Sequence, residues 1–151
     1  MSSLPESKGP LTFARNPSKV NKILLIFPPA YTIKSSRDIN PLPPIGIGML
    51  ASVLEKKNYE VRILDCLVRG WDQEEENSAN KDIVRVGLTD KQIKEHIEQY
   101  QPDLVGVSCM FSVQHKIYPK IFAAIKSVNP NITTLAGGAH VTVCPKEVLE
   151  E

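Results

Sequence analysis

Four short, nearly continuous apolar runs, each followed by a stretch with helical spacing, leave a chain of this kind few folds to choose from. Lys22-Ile-Leu-Leu-Ile-Phe27 is the first of these runs, and Pro28-Pro29 closes it. Continuous rather than alternating hydrophobicity is what a strand covered on both faces requires, as in a parallel sheet. Similar runs recur at Tyr59–Asp65, Leu104–Ser108 and Ile132–Ala136. In the second, Val61 and Ile63 alternate with Arg62, which places that strand nearer a sheet edge.

Helical patterns fill the intervals. Ile45, Met49 and Val53, with Leu50 and Leu54, follow Pro44 at helical steps, and Asn58 stands where a C-terminal cap is wanted. Thr89 with Gln92 three residues on has the spacing of a capping box. Ile93, Ile97 and Tyr100 then form one apolar stripe before Pro102. A third helix is expected from about Gln114 to Val128, with Pro119 near its start, and a fourth from Pro145.

This alternation predicts an α/β, Rossmann-like (flavodoxin-like) doubly wound parallel sheet of strand order 2-1-3-4, truncated before its fifth strand. Residues 1–21 are polar, carry Pro5, Pro10 and Pro17, and read as a disordered leader, leaving 22–151 as one domain. The charged stretch from Arg69 to Val86, with Trp71, fits a lid, an interface loop or an ordinary insertion.

Composition narrows the partners. Eighteen Lys and Arg against 17 Asp and Glu leave a net charge of +1, so neither nucleic acid nor an acidic membrane is expected. The longest apolar stretch is too short to span a bilayer, and the N-terminus has no apolar h-region, so a cytoplasmic location is expected. Cys66, Cys109 and Cys144 form neither a disulfide framework nor a zinc knuckle.

In an open parallel sheet, ligands bind beyond the carboxyl ends of the strands. Those ends here are Pro28–Ile33, Asp65–Leu67, Ser108–Ser112 and Gly137–Thr142. The Gly137-Gly138 pair either admits a ligand close to the backbone or makes a tight turn. Ser108 and Ser112 offer hydroxyls to the cleft or bond local backbone. Thr142 is a third donor or a loop residue. His140 has no second ligand at metal spacing, and reads as a loop contact to a ligand; His96 and His115 read as helix-surface residues. The cysteines read most simply as small buried hydrophobes, and Cys109 is the one in the cleft region. No P-loop, dinucleotide fingerprint or nucleophile elbow is present, since Gly46-Ile-Gly48 lacks the third glycine and the preceding strand. The chain reads as a binder without catalytic equipment of its own.

Three blocks in order carry a family resemblance: Pro43-Pro-Ile-Gly-Ile-Gly-Met-Leu-Ala-Ser-Val-Leu running on to Asp65, Pro102-Asp-Leu-Val-Gly-Val-Ser108, and Gly137-Gly-Ala-His-Val-Thr142 with Pro145-Lys-Glu147. From Lys22 to Glu151 the chain resembles the N-terminal cobalamin-binding domain of cobalamin-dependent radical SAM enzymes. Of the D-x-H-x-x-G, S-x-L and G-G marks of cobalamin domains, Ser108-Cys109-Met110 matches the second with Met for Leu, and Gly137-Gly138 the third. The first is missing, as Pro28 to Asn40 contains no His. The resemblance therefore implies base-off cobalamin without a histidine lower ligand, facing an apolar wall of Pro28, Pro29, Ala30 and Tyr31. It implies a nucleotide tail near Ser108, Ser112, Gly137 and Gly138, with His140 and Thr142 flanking it. It also implies a downstream radical SAM domain, of a methyltransferase or cyclase, binding S-adenosylmethionine and a [4Fe-4S] cluster whose C-x-x-x-C-x-x-C spacing the three cysteines here do not supply. An interaction domain of the same fold that has lost its cofactor is the rival reading. A Gly138→Leu change is expected to abolish corrinoid uptake while leaving folding alone.

Overall fold

The computed structural model describes residues 20–36 and 39–150, so the expected leader lies almost wholly outside the described residues. Strand β1 (Lys22–Phe27) is the centre of the molecule. It pairs in parallel with β3 (Glu60–Asp65) on one side and β6 (Leu104–Ser108) on the other, and β6 pairs with β7 (Thr133–Gly137). The order β3-β1-β6-β7 is the 2-1-3-4 order expected from the sequence. The alternating strand β3 lies at an edge, as its pattern predicts.

Side-chain alternation divides the sheet into two unequal faces. Leu24, Ile26, Val105 and Val107 point to one face. There they join Ile93, Ile97 and Tyr100 of α3 (Asp90–Tyr100) and Ile121 and Ile125 of α4 (Tyr118–Val128) in the main core. Ile23 and Leu25 point to the other, where α1 (Ile45–Glu55) covers them with Ala51 as its one buried residue. Over β7 that second face is open: Leu135 is 54% exposed, and Leu50 of α1, which lines the same groove, is half exposed.

Local signals account for the helix ends. The capping box at Thr89 and Gln92 forms as expected, Gln92 N–H donating to Thr89 Oγ1 and Thr89 N–H to Gln92 Oε1. Asn58 takes the left-handed conformation after α1. At the amino ends of the central strands, Asp103 Oδ2 accepts the N–H groups of Asn21 and Lys22, both at 2.8 Å, and pins the entry to β1.

Three parts differ from the sequence reading. The third helix begins as a 3-10 turn, Ser112–Ile117, and becomes α-helical only at Tyr118, because Pro119 needs a first-turn position. Residues Ala139–Val143, read as a loop, form the short helix α5, ahead of the expected helix α6 (Pro145–Glu150). The charged insertion contributes β4 (Glu74–Glu76) and β5 (Ile83–Val86), which with β2 (Ala30–Ile33) make a second, antiparallel sheet of order β2-β5-β4. Arg85 of β5 is 6% exposed and joins this sheet to the N-terminus of α3, with Nη2 2.6 Å from Asp90 and 3.1 Å from the Leu88 carbonyl. The short helix α2 (Cys66–Arg69) leads into the insertion, and Asp65 accepts the Val68 N–H as its cap.

Candidate functional site

The half-covered face of the sheet holds a groove of about 480 Å³. Its floor is made by Ile23 and Leu25 of β1, Leu104, Gly106 and Ser108 of β6, and Leu135 and Gly137 of β7. Gly46, Ile47, Leu50 and Leu54 of α1 form one wall, and Met110 and Gly138 stand at the carboxyl-terminal mouth. The period of two explains the shape. Gly106 and Gly137 fall on groove-facing positions of adjacent strands, so the floor deepens where neighbouring positions carry leucine. A Cβ at Gly137 would meet nothing within 4 Å, whereas one at Gly106 would touch Leu25 at 3.0 Å. Ser108 carries the one polar side chain in this lining. The groove therefore suits an elongated, largely apolar group entering from the strand ends.

Gly138 has a different task. Its φ of +119° is a conformation that side chains rarely adopt, and a Cβ there would lie 2.7 Å from the Cys109 carbonyl oxygen. This permits the turn from β7 into α5 while Cys109 stays tied to both sides. The Cys109 N–H donates to the Gly137 carbonyl at 2.6 Å, and the Cys109 carbonyl accepts the His140 N–H at 3.1 Å. The expectation that Gly138→Leu spares folding is thereby corrected, since the clash is with backbone.

Four of the sequence-derived site residues, Ser108, Met110, Gly137 and Gly138, gather on the groove itself. Cys109 does not face it. The side chain is fully buried on the opposite face, and burial pushes its thiol up to about 12. Pro28 and Pro29 are corrected likewise: both are buried, and Pro29 packs against Gly87 at the root of the insertion, so neither forms an exposed wall. Ala30 and Tyr31 lie half-buried in β2.

His140 lies in α5 rather than a loop and is 6% exposed. Its Nδ1 is 3.0 Å from Ser112 Oγ, and its ring leans on Tyr118 with centroids 5.8 Å apart. Tyr118, pushed up to about 12 by burial, donates its hydroxyl to the Phe111 carbonyl and accepts the Phe111 N–H. Thr142 spends its hydroxyl on the Gly138 carbonyl at 3.0 Å. Ser112, His140 and Tyr118 thus hold the segments after β6 and β7 together. His96 is half-buried on α3, and His115 points Nδ1 at the Ser112 carbonyl. No group of three or more His, Cys, Asp or Glu side chains suited to a metal ion occurs among the described residues.

Sequence reasoning missed two contributors. Gly106 signals itself by interrupting an apolar strand, where a glycine marks close approach of another group. Gln114 gives no such signal, because its role depends on a partner 83 residues away: Nε2 donates to the Tyr31 carbonyl at 3.0 Å and Oε1 accepts the Tyr31 N–H at 2.7 Å.

Comparison with known proteins agrees with this architecture. The cytidylyl-2-hydroxyethylphosphonate methyltransferase of Streptomyces wedmorensis is 33% identical over 137 residues, covering 88% of this chain and 25% of that protein. An uncharacterized methyltransferase of Pyrococcus horikoshii is 29% identical over 133 residues, again 88% of this chain and 25% of the relative. The anaerobic magnesium-protoporphyrin IX monomethyl ester cyclase of Rubrivivax gelatinosus is 28% identical over 110 residues, 72% of this chain and 17% of the cyclase. The chain thus spans a quarter or less of the length of these relatives. Among solved structures, the cobalamin-dependent S-adenosylmethionine radical enzyme OxsB, with aqua-cobalamin and S-adenosylmethionine bound, shares the fold. Its TM-score is 0.59 at 19% identity, over 87% of this chain and 16% of that one. The B12 binding domain family matches residues 39–151, three quarters of the sequence. A four-stranded 2-1-3-4 parallel sheet with a glycine-floored groove opening at its strand ends, matched over this length, makes the chain a member of the B12 binding domain family.

Proposed function

We propose that this chain is the cobalamin-holding module of a larger radical SAM methyltransferase. The observation that carries the reading is the groove floored by Gly106 and Gly137, in a chain of the B12 binding domain family. The residues present fit the cofactor: the groove is apolar, of a size that takes a heterocycle and its sugar, and open where a Cβ at position 137 would stand. Ser108, Met110, Gly137 and Gly138 would hold the nucleotide tail. Ala30, Tyr31 and Ser112 would border the corrin, while His140 and Thr142 brace the segment behind it. When bound, the corrinoid supplies a cobalt centre able to carry a transferable alkyl group.

The chain's own part is to bind, orient and exclude water. We place the cofactor base-off, with no histidine below the metal. Pro28 to Asn40 contains no His, and the buried ring of His140 is engaged with Ser112 and Tyr118. The S-adenosylmethionine and [4Fe-4S] cluster belong, in this reading, to a downstream radical SAM domain, and substrate choice belongs there too. The methyltransferase names of two relatives favour methyl transfer over cyclisation.

Gly137→Leu is the test. Its side chain projects into open groove, so the protein should fold as wild type while corrinoid no longer co-elutes with it on gel filtration. An EPR spectrum of the bound cob(II)alamin without nitrogen superhyperfine splitting would accord with the missing histidine, and a split spectrum would refute it. Unchanged corrinoid loading in Gly137→Leu would move the tail out of the groove. A folded wild-type chain that takes up no corrinoid would favour the cofactor-free interaction domain.

A further inference from the structure

Strand β2 is held on two sides, and only one of them is a strand. Its residues pair antiparallel with β5, Tyr31 standing opposite Arg85. Because N–H and C=O of one strand residue point the same way, both Tyr31 groups face away from β5 and toward Gln114. The carboxamide takes up both, accepting at 2.7 Å and donating at 3.0 Å. A primary amide is the side-chain group that offers a donor and an acceptor at the spacing of a neighbouring strand; a carboxylate lacks the donor, and asparagine is one methylene shorter. Gln114 itself rides on the 3-10 turn Ser112–Ile117, which is fixed at one end by the Ser112–His140 contact and at the other by buried Ile117 and Tyr118. Gln114 and Ser112, two residues apart on one turn, therefore tie β2 and His140 to that turn by separate hydrogen bonds, joining the segments that follow β1, β6 and β7.

We propose that Gln114 is a positioning residue that sets the height and orientation of the Tyr31 segment at the rim of the corrinoid site. The proposal rests on the cobalamin reading above. The insertion acquires a role from the same geometry: β5 supplies the strand on one side of β2, and Gln114 substitutes for one on the other.

The test compares the wild-type chain with Gln114→Met, which keeps length and volume, and Gln114→Ala. Three readings are taken: amide hydrogen exchange at Tyr31 without ligand, affinity for hydroxocobalamin, and the EPR spectrum of bound cob(II)alamin. Losing two neutral hydrogen bonds predicts exchange at Tyr31 faster by about tenfold and corrinoid binding weaker by about tenfold, with an altered cobalt spectrum and an unchanged far-ultraviolet circular dichroism spectrum. Unchanged exchange at Tyr31 in a folded Gln114→Met overturns the proposal. So does faster exchange with affinity and spectrum both unchanged. If wild type itself binds no corrinoid, the cobalamin reading falls and the proposal with it, and the exchange data still report separately whether the clamp exists.

Discussion

Replacing Gly138 and Gly137 in turn with alanine should change stability in opposite directions, although the two residues are adjacent and chemically identical. At Gly138 the backbone has φ +119°, and a Cβ would stand 2.7 Å from the Cys109 carbonyl oxygen and 2.9 Å from its carbon. A side chain held in such a conformation costs on the order of 1–3 kcal/mol. Relieving the overlap means moving the turn away from β6, which weakens the hydrogen bonds from Cys109 N–H to the Gly137 carbonyl and from His140 N–H to the Cys109 carbonyl. Each such bond is worth about 0.5–1.5 kcal/mol net. Strain and partial loss of both bonds together give a destabilisation of about 2–5 kcal/mol. For a domain of this size that lowers Tm by roughly 5–15 °C. At Gly137 the Cβ meets open space, and alanine removes chain entropy from the unfolded state, so stability should rise by about 0.5–1 kcal/mol. Urea unfolding followed by circular dichroism measures both variants under one two-state treatment. A Gly138→Ala protein melting within a degree of wild type would refute the assignment of the two glycines to turn and floor.

Acid should loosen the entry to β1. The two N–H groups of Lys22 and Asn21 that bond the Asp103 carboxylate hold its pKa below the ordinary 3.8. A carboxylate depressed on folding contributes stability that is fully present above 3.8 and is lost as pH falls through the lower folded value. Asp103→Asn should accordingly flatten the stability profile below pH 3.8, which urea midpoints measured against pH will show. Thiol titration gives an independent check on packing. Burial raises Cys66 and Cys109, the latter to about 12, so at pH 8 the native protein should expose only Cys144 to Ellman's reagent, and all three cysteines should react after denaturation. Rapid native labelling of Cys109 would contradict its place on the buried face of β6.

The four-stranded sheet was legible because each of its strands carries a burial pattern of its own. The unbroken apolar run of β1 demands cover on two sides, while Arg62 in β3 marks a strand with less of it. Thr89 and Gln92 announce a helix start through side chains that bond backbone only a turn away. The second sheet was hidden for the converse reason. Glu74-Glu75-Glu76 has no apolar alternation, and Arg85 occupies a buried position in β5 that its ion pairs with Glu75 and Asp90 and its hydrogen bond to the Leu88 carbonyl make tolerable. Those pairings are tertiary, and β2 likewise owes its extended form to β5 and to Gln114. Among candidate site residues, the glycine pair could be located but its two tasks could not be separated, because the sign of φ at Gly138 follows from where Cys109 lies. Burial of Pro29 was equally out of reach, since it depends on Gly87, whereas burial of Cys109 accords with its reading as a small hydrophobe. The terminal helices carry a simpler lesson: Pro145 marked the start of α6, whereas α5 is too short to show periodicity. No helix among the described residues is long and apolar enough to cross a membrane.

Anaerobic titration of the purified chain with hydroxocobalamin, followed by gel filtration and the visible spectrum of the protein fraction, tests the central claim most directly. Cobalamin binding through the groove predicts pink protein loaded near one corrinoid per chain, and a colourless fraction from Gly137→Leu at the same elution volume. A folded wild-type chain that elutes colourless under these conditions would contradict it.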